Sequence, residues 1–163
     1  MNKLKYLGYT IAMQEVPDEI SLVINVSGCP HKCEGCHSKY LWEYKGNYVS
    51  EDLPLLIDKY DGYITCICLM GGDQNTTELK NICDYIHKRG YKFCLYTGLN
   101  TFPNYNIDYD YIKIGRYIKE LGGLGNPQTN QHMYKKMISS DGDVTYTDIT
   151  YLFERREFCA ENF

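Results

Sequence analysis

An open α/β sheet, mostly parallel and within a single domain, is the fold this sequence predicts, and three observations predict it. Apolar, β-rich runs alternate with segments of helical periodicity, which implies crossover units and parallel neighbours. The first three of those runs stop at glycine. There are too few of them for a closed eight-fold barrel, so an open, curved sheet or partial β/α barrel fits better. A chain of 163 residues is the size of one domain with a real core.

The first run is "ISLVINV", Ile20 to Val26, which ends at Ser27-Gly28. A cysteine-rich loop over 28–37 follows. "SEDLPLLIDKY" has apolar residues at helical spacing, with Ser50 as the predicted N-cap. "YITCICLM", Tyr63 to Met70, reads as a buried strand closed by Gly71-Gly72. "TTELKNICDYIHKRG" is amphipathic: Leu79, Ile82, Cys83 and Ile86 share a face, and Gly90 stops the helix. "YKFCLYTG" is the third strand and "DYIKIG" a short fourth. "LGGLGNPQTNQ" reads as a loop, and "VTYTDIT" as a last short strand within a less regular segment, 135–163. Ligands of such sheets sit at the C-terminal ends of the parallel strands. Gly28-Cys29 and Gly71-Gly72 are therefore expected on one rim.

Composition narrows the function classes. Apolar residues make up 44% and charged residues 23%, as in ordinary globular proteins, and the net charge is −4. No basic surface suggests nucleic acid or anionic lipid as a partner. No run approaches the roughly 20 apolar residues of a membrane helix, and "MNKLKYLGYT" lacks a signal-peptide pattern. A cytoplasmic protein is expected. Eight cysteines without a secretory signal point to metal or redox chemistry before a disulfide framework. The 17 tyrosines carry no functional reading.

The motif "CPHKCEGC" places Cys29, Cys33 and Cys36 in one loop at C-x3-C-x2-C spacing, with no fourth cysteine close behind. A structural zinc site is usually four-coordinate and closed, so His31 or His37 would have to complete a Cys3His set. Three cysteines with nothing to complete them suit an iron–sulfur cluster with one iron left open. Buried structural cysteines are a poor account of three thiols in a polar, glycine-containing loop.

The stretch "VSGCPHKCEGCHS", Val26 to Ser38, resembles the cluster loop of radical S-adenosylmethionine (SAM) enzymes. The likeness is greatest to the branch that activates anaerobic ribonucleotide reductases. Gly35, where other branches often carry an aromatic residue, agrees with that branch. "MGGD" (Met70 to Asp73), "DYIKIGRYIKELGGL" (Asp110 to Leu124) and "TNQ" (Thr129 to Gln131) extend the resemblance over about 16–134. It implies a partial barrel of radical SAM type and a [4Fe–4S] cluster held through three irons by Cys29, Cys33 and Cys36. The fourth iron would be chelated by the amino and carboxylate groups of SAM. Reductive cleavage of the sulfonium would then yield methionine and a 5′-deoxyadenosyl radical, which takes hydrogen from a glycine Cα of the reductase. A flavodoxin-like protein is the electron donor the family implies.

The resemblance extends to further residues. Gly71, Gly72 and Asp73 correspond to a GGE or GGD turn whose carbonyls meet the SAM ammonium; Gln74 stands where the family often has proline. Thr97, with Gly98, is a candidate SAM contact. Lys113 and Arg116 flank Gly115, and of the two Arg116 is favoured for a site role, toward the SAM carboxylate or the partner, over a solvated Lys113. Asn130 and Gln131 match the pattern without an assigned role. Cys66, Cys68, Cys83 and Cys94 read as core thiols, with a second metal centre the less favoured alternative. Cys159 is read as part of a disordered end, Trp42 as packing over the cluster loop, and His87 and His132 as surface residues. Two other functions remain beside activation: radical SAM chemistry on a small molecule, and a non-catalytic zinc or iron–sulfur binding module. The short chain leaves little room for an elaborate small-molecule pocket, which favours a protein substrate.

Overall fold

The apolar run after Ile20 becomes the centre of one sheet. In the computed structural model, which describes residues 3–154, it forms β2 (Ser21–Ser27). β1 (Lys5–Ala12) precedes it, and β3 (Asn47–Tyr48), β4 (Cys66–Met70), β5 (Lys92–Tyr96), β6 (Tyr111–Ile114), β7 (His132–Ile138) and β8 (Val144–Asp148) follow. Two helices intervene, α1 (Val49–Lys59) and α2 (Thr76–Lys88). The strand order is β3-β1-β2-β4-β5-β6-β7-β8, one open sheet in a mixed α/β fold.

The expected parallel sheet is only its middle. β2–β4, β4–β5 and β5–β6 pair in parallel, while β1–β2, β1–β3, β6–β7 and β7–β8 are antiparallel. The prediction of a mostly parallel sheet is therefore corrected. Strands β1, β3 and β7 were not legible as strands, and they carry all four antiparallel pairings. A parallel core flanked by antiparallel edge strands is common in large sheets.

The two faces of the sheet differ. Leu22, Ile24, Val26, Ile67, Leu69, Phe93, Leu95 and Ile112 point to one side and pack with Val49, Leu53 and Ile57 of α1 and Leu79, Ile82, Cys83 and Ile86 of α2. The alternate residues Val23, Cys66, Cys68, Cys94, Tyr111 and Met133 form a second, smaller cluster on the opposite side. α1 and α2 thus cover one face, and the other is left to loops and to the short helical stretch 151–154, whose Leu152 and Phe153 pack on the second cluster.

Helix ends also depart from expectation in one place. Ser50 lies inside α1, and the N-cap is Tyr48, which makes no side-chain cap bond. The cause is tertiary: Tyr48 is already in β3, paired with Lys5, and the Val49 N–H donates to the Leu4 carbonyl at 2.9 Å. An orphan donor that a cap would have satisfied is satisfied by the neighbouring chain. α2 is capped by Asn75, whose side chain accepts from the Glu78 N–H at 3.1 Å. Among the described residues, no helix is long and apolar enough to cross a membrane. Cys159 lies outside the described residues.

Candidate metal centre

The cysteine loop leaves β2 where the parallel strands end. The Gly28 N–H donates to the Leu41 and Glu43 carbonyls at 2.8 and 3.1 Å, and the Cys29 N–H donates to Leu41 at 3.0 Å. The short 3-10 turn Lys39–Trp42 thus anchors the start of the loop. The Cys36 N–H donates to the Cys33 carbonyl at 3.2 Å, which turns the chain between the last two thiols. The Ser38 N–H donates to Cys36 Sγ at 3.3 Å, which fixes that sulfur at the end of the loop.

All three cysteines line one cavity of about 490 Å³ on the sheet face opposite α1 and α2. Cys33 is buried; Cys29 and Cys36 are half-buried, and all three thiols are free. Gly71, Asp73, Thr97 and Gly98 line the same cavity from the ends of β4 and β5. Three residues that the resemblance also singled out, Gly72, Arg116 and Asn130, lie outside that lining. Gly72 is turned toward α2, where an added Cβ would stand 2.9 Å from Leu79 Cδ1. Arg116 is exposed, and its guanidinium donates to the His31 carbonyl at 3.4 Å.

Asp73 ties the strand ends together. Its carboxylate accepts from the Thr97 hydroxyl at 2.8 Å, is bonded to His31 Nε2 at 2.8 Å and accepts from the Tyr105 hydroxyl at 3.4 Å. Gly98 gives the His31 ring its place: a Cβ there would sit 2.5 Å from the ring. Gln74 donates to the Ser27 carbonyl at 2.7 Å, so the residue that stands in for proline links the glycine turn to the root of the cysteine loop.

The two histidines of the loop differ in place: His31 lines the cavity and His37 does not. His31 Nε2 is held by Asp73, and His37 packs edge-on against Tyr117, with ring centroids 5.7 Å apart. Among the described residues, no three His, Cys, Asp or Glu side chains converge as for a single metal ion.

Two cavity residues were under-read from sequence. Lys113 is buried, contrary to the solvated alternative; its ammonium donates to the Gly115 carbonyl at 2.7 Å and reaches that of Thr97 at 3.4 Å. Burial pushes its pKa down to about 8, while Cys33, Asp73, Cys29 and Cys36 act to raise it. The signal was the period of β6, which puts Lys113 on the same face as Tyr111. Gln131 is also buried, and it donates to the Gly115 carbonyl at 3.3 Å. With Asn130 it explains the glycine: at φ +97°, a Cβ on Gly115 would stand 2.6 Å from the Asn130 carbonyl oxygen.

The remaining cysteines are core thiols. Cys66, Cys68, Cys83 and Cys94 are wholly buried. Burial raises the thiols of Cys66 and Cys94 well above the usual range and Cys83 to about 12, which keeps them neutral. Trp42 lines the cavity, as packing over the loop requires. His132 pairs with Asp148 at 2.9 Å near the surface, whereas His87 is half-buried against Asp110 at 2.7 Å. A second groove, of about 560 Å³, runs between α1 and α2 and carries none of these residues.

The anaerobic ribonucleoside-triphosphate reductase-activating protein of Enterobacteria phage T4 is 31% identical over 91 residues, which cover 44% of this chain and 57% of that protein. The chain thus spans a little over half the length of that curated relative. No solved structure matches. The family model for a 4Fe-4S single cluster domain matches residues 20–110, from the first residue before β2 to the last before β6. That span is more than half of the chain and contains all three loop cysteines, so the chain belongs to the family of 4Fe-4S single cluster domains.

Proposed function

We propose that this chain is an iron–sulfur activating enzyme of radical SAM type, which generates a glycyl radical on an anaerobic ribonucleotide reductase. The observation that carries this reading is the shared cavity: three free cysteines from one loop, the Gly71–Asp73 turn and Thr97, all at the C-terminal ends of parallel strands. The name of the phage relative supports the choice of partner. The open sheet, with α1 and α2 on one face and the cavity on the other, supports a single-domain partial barrel.

The residues present fit a [4Fe–4S] cluster with one open iron. Cys29, Cys33 and Cys36 supply three sulfur ligands, one of which also accepts a backbone N–H, while His31 Nε2 is held by Asp73 and His37 lies outside the cavity lining. When bound, the cluster and SAM supply a one-electron cleavage of the sulfonium, whose 5′-carbon fragment takes a hydrogen atom from a glycine Cα of the reductase.

The protein's own part is binding, orientation and exclusion of water. Gly71 brings backbone to the cavity wall without a side chain between it and the ligand. Asp73, held by His31 and Thr97, fixes that wall and would offer a carboxylate to the SAM ammonium. Gly72 serves the turn into α2. Arg116 stands at the rim, where it meets a carboxylate or the partner. Val23, Met70 and Trp42 form the apolar lining. The electron donor in this reading is a flavodoxin-like protein, and the setting is cytoplasmic.

Anaerobic reconstitution with iron and sulfide, followed by reductant and SAM, tests the reading. With the reductase present, electron paramagnetic resonance is expected to show a glycyl radical, and without it none. SAM cleavage coupled to a small molecule in place of the reductase, or purified protein holding zinc, overturns it.

A further inference from the structure

Lys113 is a buried cation that no carboxylate pairs with among the described residues. Its ammonium meets two carbonyls, those of Gly115 and Thr97, and the face of Tyr96, whose ring centroid is 5.8 Å away. Two acids share the cavity with it, Asp73 and Glu15. Asp73 is committed to His31, Thr97 and Tyr105, and neither acid forms an ion pair with the lysine. A buried charge is costly unless something of opposite sign faces it. The three loop cysteines line that same cavity.

A [4Fe–4S]²⁺ core on three thiolates carries a net charge of about −1, and a one-electron reduction brings it to about −2. The reduced state is the one a fixed cation favours. Low dielectric makes such an interaction stronger than a surface pair of equal separation, and neither Asp73 nor Glu15 ties up the ammonium in an ion pair. At neutral pH the ammonium is protonated, since its pKa lies at about 8 and the cysteines act to raise it.

We propose that Lys113 is the built-in counter-charge of this cavity and sets the reduction potential of the cluster bound by Cys29, Cys33 and Cys36. The inference rests on the cluster reading above and adds a role to a residue outside the ligand set. Lys113 acts on the cluster through space, as a tuning residue.

The test is a potentiometric titration of reconstituted protein in the absence of SAM, followed by the spectrum of the reduced cluster. Wild type is compared with Lys113→Met, Lys113→Gln and Lys113→Arg, with iron and sulfide counted in each. Lys113→Met and Lys113→Gln are expected to hold about four irons per chain and to show a more negative midpoint. The reduced-to-oxidised ratio at fixed potential should fall by about tenfold or more, which is ~59 mV for one electron. Lys113→Arg should restore most of the wild-type midpoint. An unchanged midpoint in a fully loaded Lys113→Met variant overturns the proposal. So does loss of the cluster from both neutral variants, because the lysine would then serve retention and not potential. Failure of the underlying reading is distinct: the wild type itself would take up no cluster.

Discussion

Lys113 and Arg116 are three residues apart, and their fates differ because one lies in a strand and the other past its end. Within β6 the side chains alternate, so Tyr111 and Lys113 face the cavity side while Ile112 and Ile114 join the core under the helices. Gly115 then turns the chain, and Arg116 emerges at the surface. The consequence for the cluster-free protein is measurable. The folded-state pKa of Lys113 is lowered by burial to about 8, so between about 8 and about 10.4 the unfolded chain binds more protons than the folded one. Wild-type stability is therefore expected to rise with pH across that window. Lys113→Met removes the buried charge and should stabilise the cluster-free protein at pH 7 by up to about 3 kcal/mol. The advantage should shrink as the pH approaches 10. Denaturant melts of both proteins at several pH values check this, and a gap that stays constant with pH contradicts it. The cysteines divide in the same way by place. Cys33→Ala should lose the iron that reconstitution supplies, whereas Cys68→Ala, deep in the inner face, should keep about four irons per chain while losing ~1 kcal/mol of stability. Iron analysis beside a thermal melt separates the two effects.

At the scale of elements, legibility followed burial. β2, β4, β5 and β6 are largely buried on both faces and read as short, mainly apolar runs, with Lys113 the polar exception inside β6. β1 and β7 are half-exposed edge-side strands: "KYLGYTIA" has a glycine at its centre and "HMYKKMI" two lysines, so neither offers a run or a clean alternation. β3 has only two residues and exists because β1 passes beside it. Both helices were legible from their periodicity, but the start of α1 was not, because its first donor is satisfied from β1 and not by a cap. Two predictions belong here. Asp110 joins three elements: its carboxylate accepts from the Phe93 N–H at 2.8 Å, pairs with His87 of α2 at 2.7 Å and lies 3.4 Å from Lys136 of β7. Burial alone would raise its pKa, but the bonds from Phe93 and His87 outweigh it and hold the carboxyl below the usual value. A lowered folded pKa means stabilisation that is present above the unfolded value, near 4, and lost as the pH falls below it. Asp110→Asn should thus cost ~1–3 kcal/mol at pH 7, and the difference from wild type should close in acid; equal gaps at pH 7 and pH 3 in denaturant melts count against it. Gly72→Val places a branched side chain at φ +133° and against Leu79. It should cost ~1–3 kcal/mol and leave iron content unchanged, since Gly72 is outside the cavity lining. Loss of iron from a folded variant would show that the Gly72 turn also supports the cysteine loop.

For the whole molecule, the sequence pattern located the rim and the resemblance named the cysteines, but neither could show what lies between them. That Cys29, Asp73, Thr97 and Lys113 share one cavity depends on the parallel register of β2, β4, β5 and β6, which no local pattern encodes. Nor does a local pattern reveal that a loop returning to the cavity holds the turn at Gly115-Arg116, with Gln131 donating to the Gly115 carbonyl and Asn130 to that of Arg116. The resulting division of labour predicts where binding should be felt. The parallel strands are fixed by the core beneath the helices, whether or not a cluster is present. The cysteine loop is different: its backbone is held by the bonds of Gly28 and Cys29 to 41–43, the turn bond from Cys36 to Cys33 and the long contact of the exposed Arg116 guanidinium with the His31 carbonyl. Local stability varies with the density of such contacts, and sparsely held segments open first. Three thiolate bonds to one rigid body would hold residues 28–37 at three further points. Hydrogen exchange should therefore slow by at least about tenfold over 28–37 on reconstitution with iron and sulfide. β4 and β5 should change little, because their opening already requires disruption of the core. If the loop exchanges equally fast in both states while four irons are bound, the cluster is held elsewhere, and the assignment of Cys29, Cys33 and Cys36 falls. If protection rises uniformly, metal binding stabilises the entire fold, and the sheet is not the preformed scaffold that its buried core implies.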